Sequence, residues 1–147
     1  MNPVTFEELV YPPEPTVTMT NVIDLTPDEM ARCRELSLGD DGYMCDYLVS
    51  IPIVENAKKQ YRYSKAMFLR SPEDFDEIYG WSLLTPVKNS PRYYAHIFVD
   101  PLHRRKGYGS LLLRHANRVS KYAPLVMTDH ENQGFFDRHP GLFKEFD

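Results

Sequence analysis

The chain has 147 residues, of which 42% are apolar and 26% charged, the size and composition of one globular domain. No apolar run approaches the roughly 18 residues of a membrane helix, and the acidic, proline-rich start lacks the features of a secretory signal. Two cysteines, Cys33 and Cys45, cannot form a disulfide framework and give no metal-ligand spacing. We therefore expect a single cytoplasmic domain over residues 1–147, without a membrane segment or a metal.

The net charge of −4 conceals an uneven distribution along the chain. Residues 1–56 carry eleven acidic and two basic side chains, a net charge of −9, whereas residues 57–147 carry a net charge of +5. This division predicts two surfaces that suit ligands of opposite sign, although chance drift of surface charge gives the same numbers. Nucleic acid is an unfavoured partner without a broad basic face. A charged tRNA stays a candidate partner, because four basic residues lie close together in the sequence: Lys58, Lys59, Arg62 and Lys65.

The first half of the chain predicts an extended segment, a strand and two helices. Prolines favour an extended conformation for residues 1–15, and residues 16–23 alternate as a strand with three apolar side chains on one face: Val17, Met19 and Ile23. Thr26 and Glu29 form a capping box around Pro27, which predicts a helix start. The helix then presents one apolar face, made of Met30, Cys33 and Leu36, and a second helix is expected over residues 43–51.

Beyond residue 57 the pattern changes to strands and one long helix. Strands are predicted over residues 65–70, 79–85 and 92–99, followed by a helix over 107–122, a short strand over 125–128 and a short helix over 132–138. Tight turns between successive strands imply antiparallel pairing, and the later strand–helix–strand unit implies a parallel crossover. The sequence therefore predicts an α/β (α+β) fold with a mixed sheet covered by helices.

The segment between the third of these strands and the long helix indicates an anion site. Gly107 and Gly109 allow a tight turn and close approach of the backbone to a ligand, and the helix start presents unpaired N–H groups and the positive end of the helix dipole. Three basic side chains add charge at the same place: Arg104, Arg105 and Lys106. The site suits a phosphate or a diphosphate. A glycine-rich turn with solvated basic residues is the structural alternative.

Two common phosphate-binding templates do not fit this segment. The dinucleotide fingerprint requires a third glycine where Leu112 stands. The P-loop ends in Gly-Lys-Ser/Thr, but Gly107 is followed by Tyr108. These mismatches disfavour a nucleotide-phosphate binder of another fold.

The run from Arg104 to Gly109 resembles the Arg/Gln-x-x-Gly-x-Gly/Ala signature of the GNAT superfamily of N-acetyltransferases. The resemblance is strongest over residues 92–143 and extends to the order of elements. It implies a mostly antiparallel sheet of six or seven strands with splayed central strands, about four helices, and acetyl-CoA as co-substrate. It further implies a set of cofactor-binding residues: Ile97, Phe98, Val99, Arg104, Arg105, Lys106, Gly107, Tyr108, Gly109, Ser110, Asn132 and Phe136.

The same resemblance implies how these residues are used. Backbone N–H groups from Arg105 to Ser110 hold the diphosphate, the main chain of residues 97–99 pairs with the pantetheine arm, and an amide near Val99 polarises the thioester carbonyl. Asn132 contacts the cofactor arm. Phe136 stands where the family often has a tyrosine that protonates the departing thiolate, so water or another residue supplies that proton, or catalysis is weak. The short C-terminus leaves room for one strand, and a second subunit in a homodimer is expected to replace the missing piece.

The reaction implied is transfer of an acetyl group from acetyl-CoA to a primary amine, by direct attack in a ternary complex. The acceptor is a protein lysine, an N-terminus or a small amine. Because an ammonium must lose a proton before it attacks, we expect a base near the splayed strands. The candidate catalytic residues are His96, Tyr93 and His130. A buried structural role is the alternative for His96, and a loop position for His130.

Other side chains complete the expected site. Tyr93 and Ala95 share the strand face on which relatives carry their base, whereas His96 lies on the other face unless a bulge reverses the order. Asp40 and Asp41 are candidates for holding a cationic amine, with a solvated turn as the alternative. Three further histidines are expected to face solvent: His103, His115 and His139. The alternative function is a GNAT-shaped protein that binds CoA or a macromolecular partner with little or no catalysis.

Overall fold

The computed structural model describes residues 14–37, 62–103, 106–126 and 133–145. It contains six strands and three α-helices in these ranges, in the order β1 (Thr16–Asn21), α1 (Pro27–Ser37), β2 (Lys65–Arg70), β3 (Ile78–Pro86), β4 (Tyr93–Val99), α2 (Tyr108–Val119), β5 (Leu125–Val126), α3 (Gln133–Asp137) and β6 (Lys144–Glu145). Short 3₁₀ turns follow β1, at Val22–Asp24, and β4, at Pro101–His103. The helix predicted over residues 43–51 lies outside the described residues.

The six strands form one mixed sheet in sequential order from β1 to β6. Strands β1 to β4 pair antiparallel, and β5 pairs parallel with both β4 and β6. This arrangement confirms the predicted mixed, mostly antiparallel sheet and the parallel crossover through the long helix. Among the described residues, the pairing of β4 with β5 is at Tyr94 and Leu125.

Helix α1 begins as its capping residues predict. The Thr26 main-chain N–H donates to Glu29 Oε1 at 3.0 Å, and the Glu29 N–H donates to Thr26 Oγ1 at 3.1 Å, so both members of the box are paired. Its apolar face is buried as expected, through Met30, Cys33 and Leu36. That face packs on one side of the sheet, in a core with Ala66, Phe68, Ile78, Trp81, Leu83 and Phe98.

Helix α2 covers the opposite side of the sheet. Leu112, Leu113 and Ala116 are fully buried there, in a second core with Met67, Leu69, Leu84, Ala95, Val126 and Phe136. Because side chains alternate along a strand, β2, β3 and β4 each supply both cores. The helix ends at Val119, earlier than residue 122, since Ser120 is already extended. No helix in the described part of the chain is both long and apolar enough to cross a bilayer.

The predicted apolar face of β1 is wrong in part. Val17 packs against the second core, but Met19 is 47% exposed and Ile23 is 43% exposed in the 3₁₀ turn. Strand β1 stands at the edge of the sheet and pairs with β2. Alternation identifies two faces of a strand, but it does not say how far along the strand a helix covers either face.

Candidate functional site

The connection from β4 to α2 turns through Gly107, which has φ of +79° and ψ of 12°. This left-handed conformation disfavours a side chain, and a Cβ at this position would meet nothing within 4 Å. Helix α2 starts at the next residue, and its first N–H to bond back is that of Leu111, which donates to the Gly107 carbonyl at 3.1 Å. The N–H groups of Tyr108, Gly109 and Ser110 therefore precede the first bond of the helix ladder.

These three N–H groups make the start of α2 suitable for an anion. No described side chain caps them, and the positive end of the helix dipole lies at the same place. Lys106 is exposed immediately before them. Arg104 and Arg105, which the sequence places in the same loop, lie outside the residues that the structure describes.

Gly109 lies under the third helix. A Cβ there would lie 3.1 Å and 3.3 Å from two ring carbons of Phe135 and 3.9 Å from Val99 Cγ2. Glycine therefore lets α3 and the end of β4 approach the first turn of α2 closely. The predicted tight turn is at Gly107, whereas the close approach at Gly109 is to the Phe135 ring. Close approach of this backbone to a ligand stays a prediction.

Asp100 connects this loop to helix α1. Its Oδ1 accepts the N–H of Leu102 at 2.9 Å, and its Oδ2 accepts a hydrogen bond from Arg32 Nη2 at 2.6 Å. Arg32 also donates from Nε and Nη2 to the carbonyl of Ile78, at 2.9 and 2.6 Å. Burial raises the pKa of Asp100, but its hydrogen bonds from Arg32 and Leu102 and the nearby positive charge outweigh burial, so the pKa lies below its ordinary value.

Aromatic rings hold the loop against β3. His103 lies 4.1 Å from the Tyr79 ring, and Tyr108 stacks parallel to Tyr79 at 5.4 Å. Burial and the neighbouring Tyr79 raise the pKa of Tyr108. Lys106 Nζ lies 3.5 Å from His103 Nδ1. His103 is thus half-buried, and its predicted solvent-facing position is wrong.

The backbone of β4 presents alternate residues to its two neighbouring strands. The Asp100 N–H donates to the Tyr79 carbonyl at 2.8 Å, which makes residues 79 and 100 a hydrogen-bonded pair. Because such pairs alternate along an antiparallel ladder, Phe98 also bonds toward β3, whereas the main-chain groups of Ile97 and Val99 point toward β5. The side chain of Phe98 lies instead in the core beside Trp81, at 5.5 Å between ring centres.

Comparison with known proteins identifies the family. Residues 67–139, about half of the chain, match the family model described as an acetyltransferase (GNAT) domain. The chain belongs to the GNAT family. No curated protein matches its sequence.

Solved structures share the fold of this GNAT chain. Tetrahymena GCN5 is similar with a TM-score of 0.61 and 16% identity, over 84% of this chain and 76% of that one. An acyl-CoA N-acyltransferase from Pseudomonas aeruginosa has a TM-score of 0.57 and 13% identity, over 85% of both chains. A mutant of the toxin AtaT, solved with the C-terminus of the antitoxin AtaR and acetyl-CoA, has a TM-score of 0.51 and 13% identity, over 86% of this chain and 83% of that one.

His96 and Tyr93 lie on opposite faces of β4 in this GNAT fold. The register of β3 with β4 runs without a shift from Gly80 and Val99 to Pro86 and Tyr93, so the bulge that would bring them together is absent from this pairing. Tyr93 is half-buried on the α2 side. His96 is on the α1 side, where burial lowers its pKa. His130, Asn132, Asp40 and Asp41 lie outside the described residues.

The remaining predicted residues in the described part of the chain are half-buried or buried. Ile97 and Val99 are half-buried, and Ser110 is bonded to a histidine of the C-terminal segment, described below. Phe136 is only 6% exposed and packs 4.9 Å from Phe143 in the second core. His115 is also half-buried, and burial and Arg118 lower its pKa, so the expected solvent-facing position is wrong for it as well.

The lowered pKa of His96 has a measurable consequence for stability. Its folded value lies below 6.5, so between that value and 6.5 the unfolded chain binds the proton that the folded chain does not, and stability falls as pH falls through this window. We expect the free energy of unfolding of the wild type, measured in urea, to fall between pH 8 and pH 5 by more than that of His96→Gln. The difference is at most about 1.4 kcal/mol for each unit by which the His96 pKa is lowered. Equal losses in both proteins would contradict a buried neutral imidazole.

Proposed function

We propose that this GNAT protein transfers an acetyl group from acetyl-CoA to a primary amine. The observation that carries the proposal is the start of α2, where three first-turn N–H groups follow the left-handed Gly107 in the connection from β4. A diphosphate fits this arrangement in charge and in the number of donors. The family match and the acetyl-CoA complex of a protein with the same fold support acetyl-CoA as the ligand.

In this proposal the chain binds acetyl-CoA along two elements. The N–H groups of residues 108–110 and the Lys106 ammonium hold the diphosphate, with Arg104 and Arg105 as further cations from the same loop. The main-chain groups of Ile97 and Val99, which point toward β5, align the pantetheine arm. Asn132 and Phe136 are assigned to the same arm from the family resemblance alone.

His96 is the proposed base. Burial lowers its pKa, which keeps the imidazole neutral near pH 7 and therefore able to accept a proton from the incoming ammonium. It lies on the α1 side of the sheet, so the amine would approach from that side. Asp40 and Asp41 are proposed from the sequence alone to attract its positive charge. The neutral amine then attacks the thioester carbon directly and the carbon–sulfur bond breaks. The nitrogen loses its second proton to form the amide, and water supplies the proton with which the thiolate leaves as CoA. Tyr93 and His130 remain alternatives to His96 as the base.

The acetyl group is proposed to pass to the amine without a covalent enzyme intermediate. Cys33, the one cysteine in the described residues, is fully buried in the core under α1, on the side of the sheet opposite α2. A thiol in that position cannot serve as an acyl carrier. The cytoplasmic location and the homodimer stay predictions from the sequence.

Activity is tested with purified protein, acetyl-CoA and a panel of amines: polyamines, lysine-containing peptides and peptides with free N-termini. We expect the release of the CoA thiol to match a mass gain of one acetyl group on one class of acceptor. Native mass spectrometry of the same protein tests retention of CoA. Failure to retain CoA would overturn the proposal.

A second function is favoured by Phe136. Its buried ring lies among Phe135, Phe143 and the second core, so this position offers no hydroxyl to protonate a leaving thiolate. A protein that binds CoA with little or no transfer is therefore the alternative. Retention of CoA without acetylation of any acceptor, and without loss of the acetyl group, would favour it.

A further inference from the structure

A serine and a histidine form a hydrogen-bonded pair at the proposed diphosphate site. Ser110 Oγ, in the first turn of α2, lies 2.6 Å from His139 Nε2, and His139 Nδ1 lies 2.8 Å from the Phe135 carbonyl oxygen. The Phe135 ring also packs 4.8 Å from the imidazole. The two residues are separated by 29 positions in the chain, so α3 and the turn after it deliver the histidine to α2.

The Phe135 carbonyl determines which nitrogen of His139 is protonated. A carbonyl oxygen only accepts, so His139 Nδ1 carries a proton and donates it to Phe135. A neutral imidazole has one N–H, which leaves Nε2 as an acceptor, and Ser110 must then donate its hydroxyl proton to Nε2. In this state the Ser110 hydroxyl has no proton to donate to a ligand, and its lone pairs repel an anion.

Protonation of His139 reverses this bond. Nε2 then carries a proton and donates it to Ser110 Oγ, which frees the hydroxyl proton for a phosphate oxygen. The imidazolium also adds a positive charge near the start of α2. We propose that His139 is a positioning residue that couples binding of the CoA diphosphate at Ser110 to the uptake of one proton. This inference rests on the proposed function, since it requires CoA at the start of α2.

Other ionisable groups lie on the elements packed around His139, and the test must separate their effects. Helix α2 carries Arg114, His115 and Arg118, α3 and its end carry Asp137 and Arg138, the loop carries Lys106, and β6 carries Lys144 and Glu145. Asp137 accepts a hydrogen bond from Gln133 at 2.8 Å. The loop also carries His103, 3.5 Å from Lys106 and unchanged in every variant. His115, on α2, supplies the matched control. The ligand's own phosphate monoester also titrates near pH 6 and contributes equally to every variant.

The experiment is isothermal titration of CoA into the wild-type protein, His139→Gln and His115→Gln, from pH 8 to pH 5.5, in two buffers with different ionisation enthalpies. We expect wild-type affinity to rise about tenfold more than that of His139→Gln over this range. We also expect the wild-type protein to take up about half a proton more than His139→Gln at its maximum, which is the uptake that a tenfold coupling produces. His115→Gln should behave as the wild type. Should His139→Gln fail to fold, Ser110→Ala takes its place, since it removes the hydroxyl that His139 pairs with and leaves only the charge of the imidazolium. Its affinity for CoA should then rise less than that of the wild type as pH falls.

The two possible failures are distinguishable. If CoA binds the wild type and His139→Gln with the same pH profile and the same proton uptake, the coupling is overturned and the proposed function stands. If the wild type shows no heat of CoA binding at any pH, both the coupling and the proposed function are overturned. A merely structural role of His139 would lower affinity equally at all pH values, which also contradicts the inference.

Discussion

Leucine at both Gly107 and Gly109 is expected to weaken CoA binding by at least about 100-fold while the domain stays folded. At residue 107 the φ of +79° strains any side chain by roughly 1–2 kcal/mol, which shifts the backbone that presents the first-turn N–H groups. At residue 109 even a Cβ would press on the Phe135 ring at 3.1 Å. Strain of this size is small beside the usual 5–15 kcal/mol of a folded domain. Isothermal titration with CoA and thermal unfolding measure the two effects.

Gly141→Leu is the matched control for this variant. Gly141 also has a positive φ, +85°, and open space around its missing Cβ, but it lies in the turn before β6 rather than in the loop. It should lose the stability that φ strain costs at one glycine, without the contact on Phe135, and keep its affinity for CoA. Unchanged CoA affinity in the double variant would show that the loop does not hold the ligand.

Replacing Asp100 with alanine is expected to cost about 2–3 kcal/mol of stability and to weaken CoA binding about tenfold. The substitution leaves the Arg32 guanidinium without its carboxylate and the Leu102 N–H without its acceptor. The side chains of Arg32 and Asp100 are 21% and 14% exposed, so the loss falls below that of a fully buried ion pair. Urea unfolding and CoA titration provide the two measurements.

Glu35→Ala provides the control for the Asp100 variant, because Glu35 also pairs with Arg32, at 2.7 Å, but is 71% exposed. It should cost no more than about 0.5 kcal/mol. The pKa of Asp100 lies below 3.8, so its contribution is present at neutral pH and is lost as pH falls through the folded value. The stability gap between wild type and Asp100→Asn should therefore close in acid. A gap that persists there would contradict the ion pair.

Local signals in the sequence were sufficient for most of the fold. Thr26 and Glu29 lie three residues apart and cap α1 through contacts within one turn, so their types alone predict the helix start. The predicted bounds of β2, residues 65–70, agree with the structure because turn residues flank a run of apolar and basic side chains. The glycine loop after β4 was predicted from spacing and from the resemblance to a family, and the structure places it at the start of α2.

The contacts that organise the site could not be predicted in this way. Arg32 and Asp100 are 68 positions apart, and Ser110 and His139 are 29 apart. No periodic pattern or short motif indicates such pairs, because they depend on how α1 and α3 pack on the sheet. For the same reason the sequence placed His139 in solvent. An alignment with co-varying positions is the kind of signal that would reveal both pairs.

A crystal structure of the protein with bound CoA tests the central claim most directly. We expect diphosphate oxygens within about 2.7–3.2 Å of the main-chain nitrogens of Tyr108, Gly109 and Ser110, at the start of α2. The pantetheine arm should then run beside Ile97 and Val99. A diphosphate bound anywhere else on the domain, with those three nitrogens facing solvent, would contradict the account.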